Sequence, residues 1–224
     1  MKERPIIFSA PMVQALLDGH KTQTRRIVKT QPTDEDWAYA RKALGGNTEN
    51  AYPAVSDRGG IGLRIDDQQT GSFLAAATGF FERNNHCPYG QPGEALWVKE
   101  TFAHHVQAIG AKSDEDGPFV YAADGEAATQ YRLSDKWKPS IFMPRWASRI
   151  LLEITAVRVE RLQDISEADA IAEGWMRRPY ISDDPQVHID AARDWYRDLW
   201  ETINGPGSWD LNPFCWVIIF RRIK

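Results

Sequence analysis

The chain is poor in cysteine and has no long apolar run. Only Cys87 and Cys215 occur, far apart in the chain, which excludes a small scaffold held together by disulfides. With no apolar segment of membrane length and no signal-peptide pattern, the expectation is a cytoplasmic protein with reduced thiols and no membrane partner. Positive charge is not in excess either: 27 Lys and Arg face 31 Asp and Glu, a formal net charge of −4. Such a surface is no general trap for duplex nucleic acid, so any nucleic-acid contact must come from a local basic patch. Internal repeats and low-complexity tracts are lacking. His86-Cys87 and His104-His105 come nearest to a metal motif, but their spacing matches none, and neither a metal nor a cofactor is expected.

What is present is an ordinary globular chain of 224 residues, 42% hydrophobic and 26% charged, with nine tryptophans. That length suits one large domain or two small ones, and the composition is ordinary for a globular protein. Arg4 to Ala10 reads as a strand. Ser9 is placed to cap a helix with Pro11 in its first turn, Met12, Ala15 and Leu16 on one face, and Gly19 as its stop. Gln23 to Val28 reads as a second strand. Residues 30–90 are punctuated by Gly45-Gly46, Gly59-Gly60 and Asn84-Asn85 and read as an insertion of loops and short elements, with a possible helix at Asp34 to Leu44. After a turn at Pro92-Gly93-Glu94, Ala95 to Phe102 is a strand. Residues 103–118 read as loop and Phe119 to Ala123 as a short strand. Lys136 to Arg149, with Pro139 and Pro144, reads as an ordered loop. Ile150 to Leu162 alternates apolar and polar residues and is the clearest strand. Ser166 with Asp169 three residues on opens a helix that stops at Gly174. Val187 to Ile203 is a longer helix burying Ile189, Ala192, Tyr196, Leu199 and Trp200, and Phe214 to Ile223 is a final apolar strand. Strands and helices do not alternate regularly, which argues against a doubly wound parallel sheet and for an α+β fold built on a small barrel or curved sheet.

The densest chemistry lies in Gly19-His20-Lys21-Thr22-Gln23-Thr24-Arg25-Arg26. Cations this close repel one another unless an anion, a carboxylate or solvent relieves them. The cluster therefore reads as a site for a phosphate-bearing ligand or for activated hydroxyl chemistry, or else as a solvated basic turn. His20 within it is a candidate proton carrier or a plain surface residue.

Together with Gly93-Glu94-Ala95-Leu96-Trp97-Val98-Lys99-Glu100, with Leu162 to Gly174 and with the strand Trp216 to Phe220, this cluster resembles the ASCH family of the PUA-like superfamily. The stretch Trp137 to Arg149 resembles a longer subgroup common in bacterial prophages. The resemblance covers roughly the first thirty residues, about 92–102, and 145 to the end. It implies a single domain over residues 1–224, a six-stranded PUA-like mixed barrel flanked by helices, with loop-rich insertions at about 30–90 and 103–135. It further implies recognition of RNA or a modified nucleoside. Small bacterial members are amidohydrolases that remove the acetyl group of N(4)-acetylcytidine, and their catalytic lysine, threonine and glutamate fall here on Lys21, Thr24 and Glu173.

Amide hydrolysis needs a nucleophile, a base and donors for the oxyanion. Thr24 offers the hydroxyl. Lys21 acts as base only if its pKa falls well below about 10.4; Arg25, Arg26 and burial push it down, and pairing with Glu173 pushes it up. Glu173 can instead position water or pass a proton to the leaving amine. Residues three apart on an extended strand face opposite sides, so Lys21 and Thr24 converge only if the chain turns between them. Alternation puts Trp97 and Lys99 on one face of their strand and Val98 and Glu100 on the other, with Glu100 placed to anchor an arginine such as Arg26. Lys138, Arg145, Trp146 and Arg149 belong to the best nucleic-acid feature, cations interleaved with aromatics; the plainer role for Trp146 is to cover a barrel end. The expected ligand is a nucleoside or single-stranded nucleic acid, RNA in preference to DNA. Hydrolysis of an acylated cytidine competes with two other roles: a non-catalytic reader of RNA or modified DNA, and a prophage accessory protein that binds another protein through its insertions.

Overall fold

The computed structural model describes residues 1–35, 38, 51–55, 61–65, 86–105, 119–129, 136–176 and 185–224. The expected helix at 34–44 and the expected loop at 103–118 lie largely outside them, and Ala103 and His104 of that loop are strand. In chain order the strands are β1 (Glu3–Ile7), β2 (Gln23–Ile27), β3 (Ala51–Val55), β4 (Ile61–Ile65), β5 (Ala95–Lys99), β6 (Phe102–His104), β7 (Phe119–Tyr121), β8 (Leu151–Arg161) and β9 (Phe214–Arg222). The helices are α1 (Ala10–Leu17), α2 (Glu126–Thr129), α3 (Glu167–Ala172) and α4 (Pro185–Asn204).

The fold is α+β, and a five-stranded sheet in the order β1-β5-β8-β9-β2 organises it. The β1–β5 pair is parallel and the others antiparallel. Strand β9, between β8 and β2, is apolar on both faces, as a strand covered on both sides must be. Its Phe214, Trp216, Ile218 and Phe220 join the main core, beside Phe8, Val13 and Leu96. Its Cys215 joins a second apolar cluster with Leu162, Trp175, Tyr196 and Trp200. One face of the sheet is therefore sealed by α1 and the other by α3 and α4. Both cysteines are free and buried, and burial raises their thiols to about 11 for Cys87 and about 12 for Cys215.

Hydrogen-bonded pairing ends at β1 and β2, so the described strands form an open sheet. Its edges nevertheless curl towards each other. Arg26 on β2 donates from Nη2 to the Ile7 carbonyl on β1 at 2.7 Å, closer than the rims of a flat sheet could come. The β8–β9 register shifts between Ile154 and Ala156, and such a bulge sharpens the local bend.

The strand expected over Ala95 to Phe102 is two strands. The chain breaks at Glu100-Thr101, and β6 leaves to pair with β7. The region expected as a 30–90 insertion contributes to the core, because Ile61 on the β3–β4 hairpin is buried within the main cluster. Ser9 occupies the N-cap of α1, but its hydroxyl makes no cap hydrogen bond. Pro11 removes one of the N–H groups that such a cap would use. The Ser166–Asp169 capping box forms as the spacing predicts.

Candidate functional site

The site begins where α1 stops. Gly19 takes a left-handed φ of +79°, and the amides of His20 and Lys21 both donate to the Ala15 carbonyl at 2.8 and 2.9 Å. This turn folds Lys21 back under α1 before β2 starts. Thr22 is pinned next, donating its amide to Ala172 and accepting from that of Phe220. On β2, Thr24 lies opposite Ile218 and Arg26 opposite Trp216, so both share the face of the main core. Lys21 Nζ and the Arg26 guanidinium each stand 5.5 Å from the centre of the Phe8 ring. Lys21 thus comes over the same aromatic ring as Arg26, on the face of β2 that Thr24 shares.

Glu173 arrives from the end of α3. Gly174 follows with φ +112°, and a Cβ on it would lie 3.2 Å from that of Ala15. Only a glycine lets the end of α3 press this closely on the end of α1. The contact delivers the Glu173 carboxylate to Lys21: Nζ donates to Oε2 at 2.8 Å and to the Glu173 carbonyl at 2.9 Å. Both residues are buried, at 2% and 3% exposure. Burial lowers the Lys21 pKa from its ordinary value, outweighing the opposing pull of Glu173.

Arg25 points to the other face of β2. It meets Glu160 at 2.9 Å, Asp169 at 3.1 Å and Glu173 Oε1 at 3.7 Å, and lies over the Tyr196 ring. Burial raises the Asp169 carboxyl, but the charges of Arg25 and Arg158 and hydrogen bonds from Ser166 win and hold it well below 3.8. The folded protein then binds fewer protons than the unfolded chain as pH falls through the acid range. Stability from Asp169 is complete above its unfolded pKa and is lost as pH falls below about 4. In urea titrations, unfolding free energy should fall between pH 6 and pH 3, and Asp169→Asn should remove roughly 1–2 kcal/mol of that fall. An unchanged pH dependence in the variant would refute the assignment.

Two cavities meet at this point. A pit of about 50 Å³ is lined by Thr24, Arg25, Glu173, Tyr196 and Trp200, among others. Arg25 Nη1, Glu173 Oε1 and Trp200 Nε1 are buried and make no hydrogen bond among the described residues. Buried polar atoms are rarely left this way except where a ligand or water completes them. The pit alone is too small for a pyrimidine. It adjoins an open groove of about 670 Å³ across shared walls at Met12, Arg26 and Ile203. That volume lies in the usual range for small-molecule sites.

The remaining candidate residues are spread along the β1–β5 side. Trp97 and Lys99 share the more open face of β5, while Val98 and Glu100 are buried. Lys99 and Arg145 flank the Trp97 ring at 5.6 and 6.0 Å, and Lys99 Nζ donates to the Ile141 carbonyl. Glu100 anchors Arg149, not Arg26: both bonds of the fork are 3.0 Å. Arg26 is held elsewhere by Ile7 and Phe8, on the opposite edge strand. Arg149 also pairs with Asp124 and stacks on Tyr121 at 3.9 Å. Arg145 is bonded to Glu3 at 2.6 Å. Lys138 lies over Phe102 and 3.3 Å from His104 Nδ1. Trp146 packs against Phe119 at 5.4 Å and is 41% exposed, partly covering the β6–β7 hairpin. His20 is exposed on the turn.

Sequence reasoning assigned Tyr196 and Trp200 to the buried face of α4, but not to a site. Helical spacing marks which side chains turn inward; it carries no information on which of them face a cavity. Among the described residues no group of His, Cys, Asp and Glu is arranged to hold a metal ion, and no helix is long and apolar enough to cross a membrane. Comparison with known protein families, curated proteins and solved structures finds no match for the chain.

Proposed function

We propose that the protein is a PUA-like ASCH hydrolase that removes the acyl group from an N(4)-acylated cytidine. The observation that carries this reading is the meeting of Lys21 with Glu173 at 2.8 Å beside a pit that Thr24 and Glu173 line together. The pit has room for an acetyl group, while the base and sugar lie in the adjoining groove. Thr24 Oγ1 attacks the amide carbon as its proton passes to Lys21, or to Glu173 acting with it. Lys21 is suited to the task because burial lowers its pKa and raises its neutral fraction. Arg25 Nη1 faces the developing oxyanion. The C–N bond then breaks, the proton moves to the cytosine amine, and water releases acetate from Thr24. Overall, one N(4)-acetylcytidine and one water give one cytidine, one acetate and one proton.

The purified protein should release cytidine and acetate from N(4)-acetylcytidine in equal amounts, read by chromatography. No release at high enzyme concentration would remove the hydrolase reading. The alternative is a non-catalytic reader of single-stranded nucleic acid, favoured by Trp137, Phe142 and Trp146 standing exposed at 40%, 71% and 41% beside Lys138. Unpaired bases stack on such faces.

A further inference from the structure

The groove beside the pit has a charge pattern unlike that of the rest of the chain. Arg26 and Lys99 line it, and no carboxylate does so among the described residues. This stands out in a chain with more acidic than basic residues. The cations around it are neutralised within the protein: Lys21 and Arg25 by Glu173, Glu160 and Asp169, Arg145 by Glu3, and Arg149 by Glu100 and Asp124. Arg26 and Lys99 differ. Each spends a donor on a backbone carbonyl, of Ile7 and Ile141 respectively, and neither forms an ion pair with a carboxylate among the described residues. They are held in position by neutral partners with charge and donors left over. Ser9, Tyr89, Thr101 and Ser140 add hydroxyl groups to the same walls. The N-terminal end of α1 opens here as well, with the Ser9 hydroxyl not used for capping, and a helix start favours an anion.

We infer that this groove binds a phosphate group, so that the ligand of the site is a phosphorylated pyrimidine nucleoside rather than a free nucleoside. The inference rests on the proposed placement of the base beside the pit but not on catalysis. A guanidinium and an ammonium lining one groove without carboxylates recognise a phosphate through charge-assisted hydrogen bonds. The phosphate can belong to a free nucleotide or to a phosphodiester in a strand.

Binding measured by calorimetry separates this from the hydrolase reading. Cytidine 5′-monophosphate should bind the intact protein at least about tenfold more tightly than cytidine, with the advantage shrinking as salt rises. Lys99→Ala should abolish the advantage and Lys99→Arg restore most of it, with thermal melting confirming that both variants fold. Should Lys99→Ala fail to fold, Arg26→Gln provides the same reading from the other wall. A short single-stranded cytidine oligonucleotide serves as the third ligand. Tighter binding than the monophosphate assigns the phosphate to a strand, and equal or weaker binding assigns it to a free nucleotide; either outcome supports a phosphate site. Equal affinity for cytidine and its monophosphate, no detectable binding of the monophosphate, or an advantage that survives in the variants overturns the inference. Monophosphate binding without hydrolysis of N(4)-acetylcytidine would leave the phosphate site standing and remove only the enzymatic reading.

Discussion

Glu173→Ala is expected to lower the unfolding free energy by about 3–5 kcal/mol, the largest stability effect of any single substitution at the site. Lys21 is buried with its ammonium on the Glu173 carboxylate and carbonyl. Removing the side chain leaves a desolvated charge facing an apolar ring, that of Phe8, with one carbonyl in place of two acceptors. The protein can relieve this by releasing the proton from Lys21, which transfers the cost to the deprotonation. Burial already lowers the Lys21 pKa below 10.5, and without Glu173 it falls further. Native Lys21 then binds fewer protons than the unfolded chain over a wider window below pH 10.5, so the deficit of the variant should shrink as pH rises. The paired substitution Lys21→Met with Glu173→Leu should recover much of the loss, because a buried ion pair replaced by apolar side chains is often neutral or stabilising. Urea denaturation of the four proteins closes the cycle. A loss below about 1 kcal/mol in Glu173→Ala would show that the pair is not desolvated as described.

Thr24→Val is expected to lower hydrolysis of N(4)-acetylcytidine by at least about 10³-fold with little change in stability. The substitution keeps the shape and the β-branched preference for a strand and removes only the hydroxyl. Thr24 is buried and valine fills the same space without the hydroxyl, so the unfolding free energy should shift by under about 1 kcal/mol. Thr24→Ser should retain part of the rate. The pH–rate profile should rise with alkali to a limb below 10.5, because in the proposed reaction Lys21 acts in its neutral form and burial lowers its pKa. A Thr24→Val protein with more than a tenth of the wild-type rate would exclude Thr24 as nucleophile.

Much of this arrangement was readable before any coordinate. The helix stop at Gly19, the capping box at Ser166 and the long strands at β8 and β9 depend on contacts between near neighbours, and these leave a local signature. The alternation on β5 also held, with Val98 and Glu100 buried and Trp97 and Lys99 more open. Ser9 failed as a cap because Pro11 disarms the first turn, which is also a local fact, but one that helix-start rules weigh in the opposite sense. The partner of Glu100 was misjudged for a different reason. Arg26 and Arg149 are equivalent as cations, and the choice depends on where the fold puts each one: Arg149 just ahead of β8, the strand paired with β5, and Arg26 on the edge strand β2.

Composition, periodicity and turn chemistry were sufficient for an α+β chain, for the strands β1, β2, β5, β7, β8 and β9 and the helices α1, α3 and α4 in order, and for a basic cluster placed just after the first helix. They act over a few residues, where the backbone itself sets the geometry. The encounter of Lys21 with Glu173, 152 positions apart, was decided by packing: the end of α3 closes on the end of α1 because Gly174 has no side chain to keep them apart. Tertiary structure alone also decided which cations are neutralised and which are left facing a groove, since an ion pair depends on distance in space and the sequence records only distance along the chain.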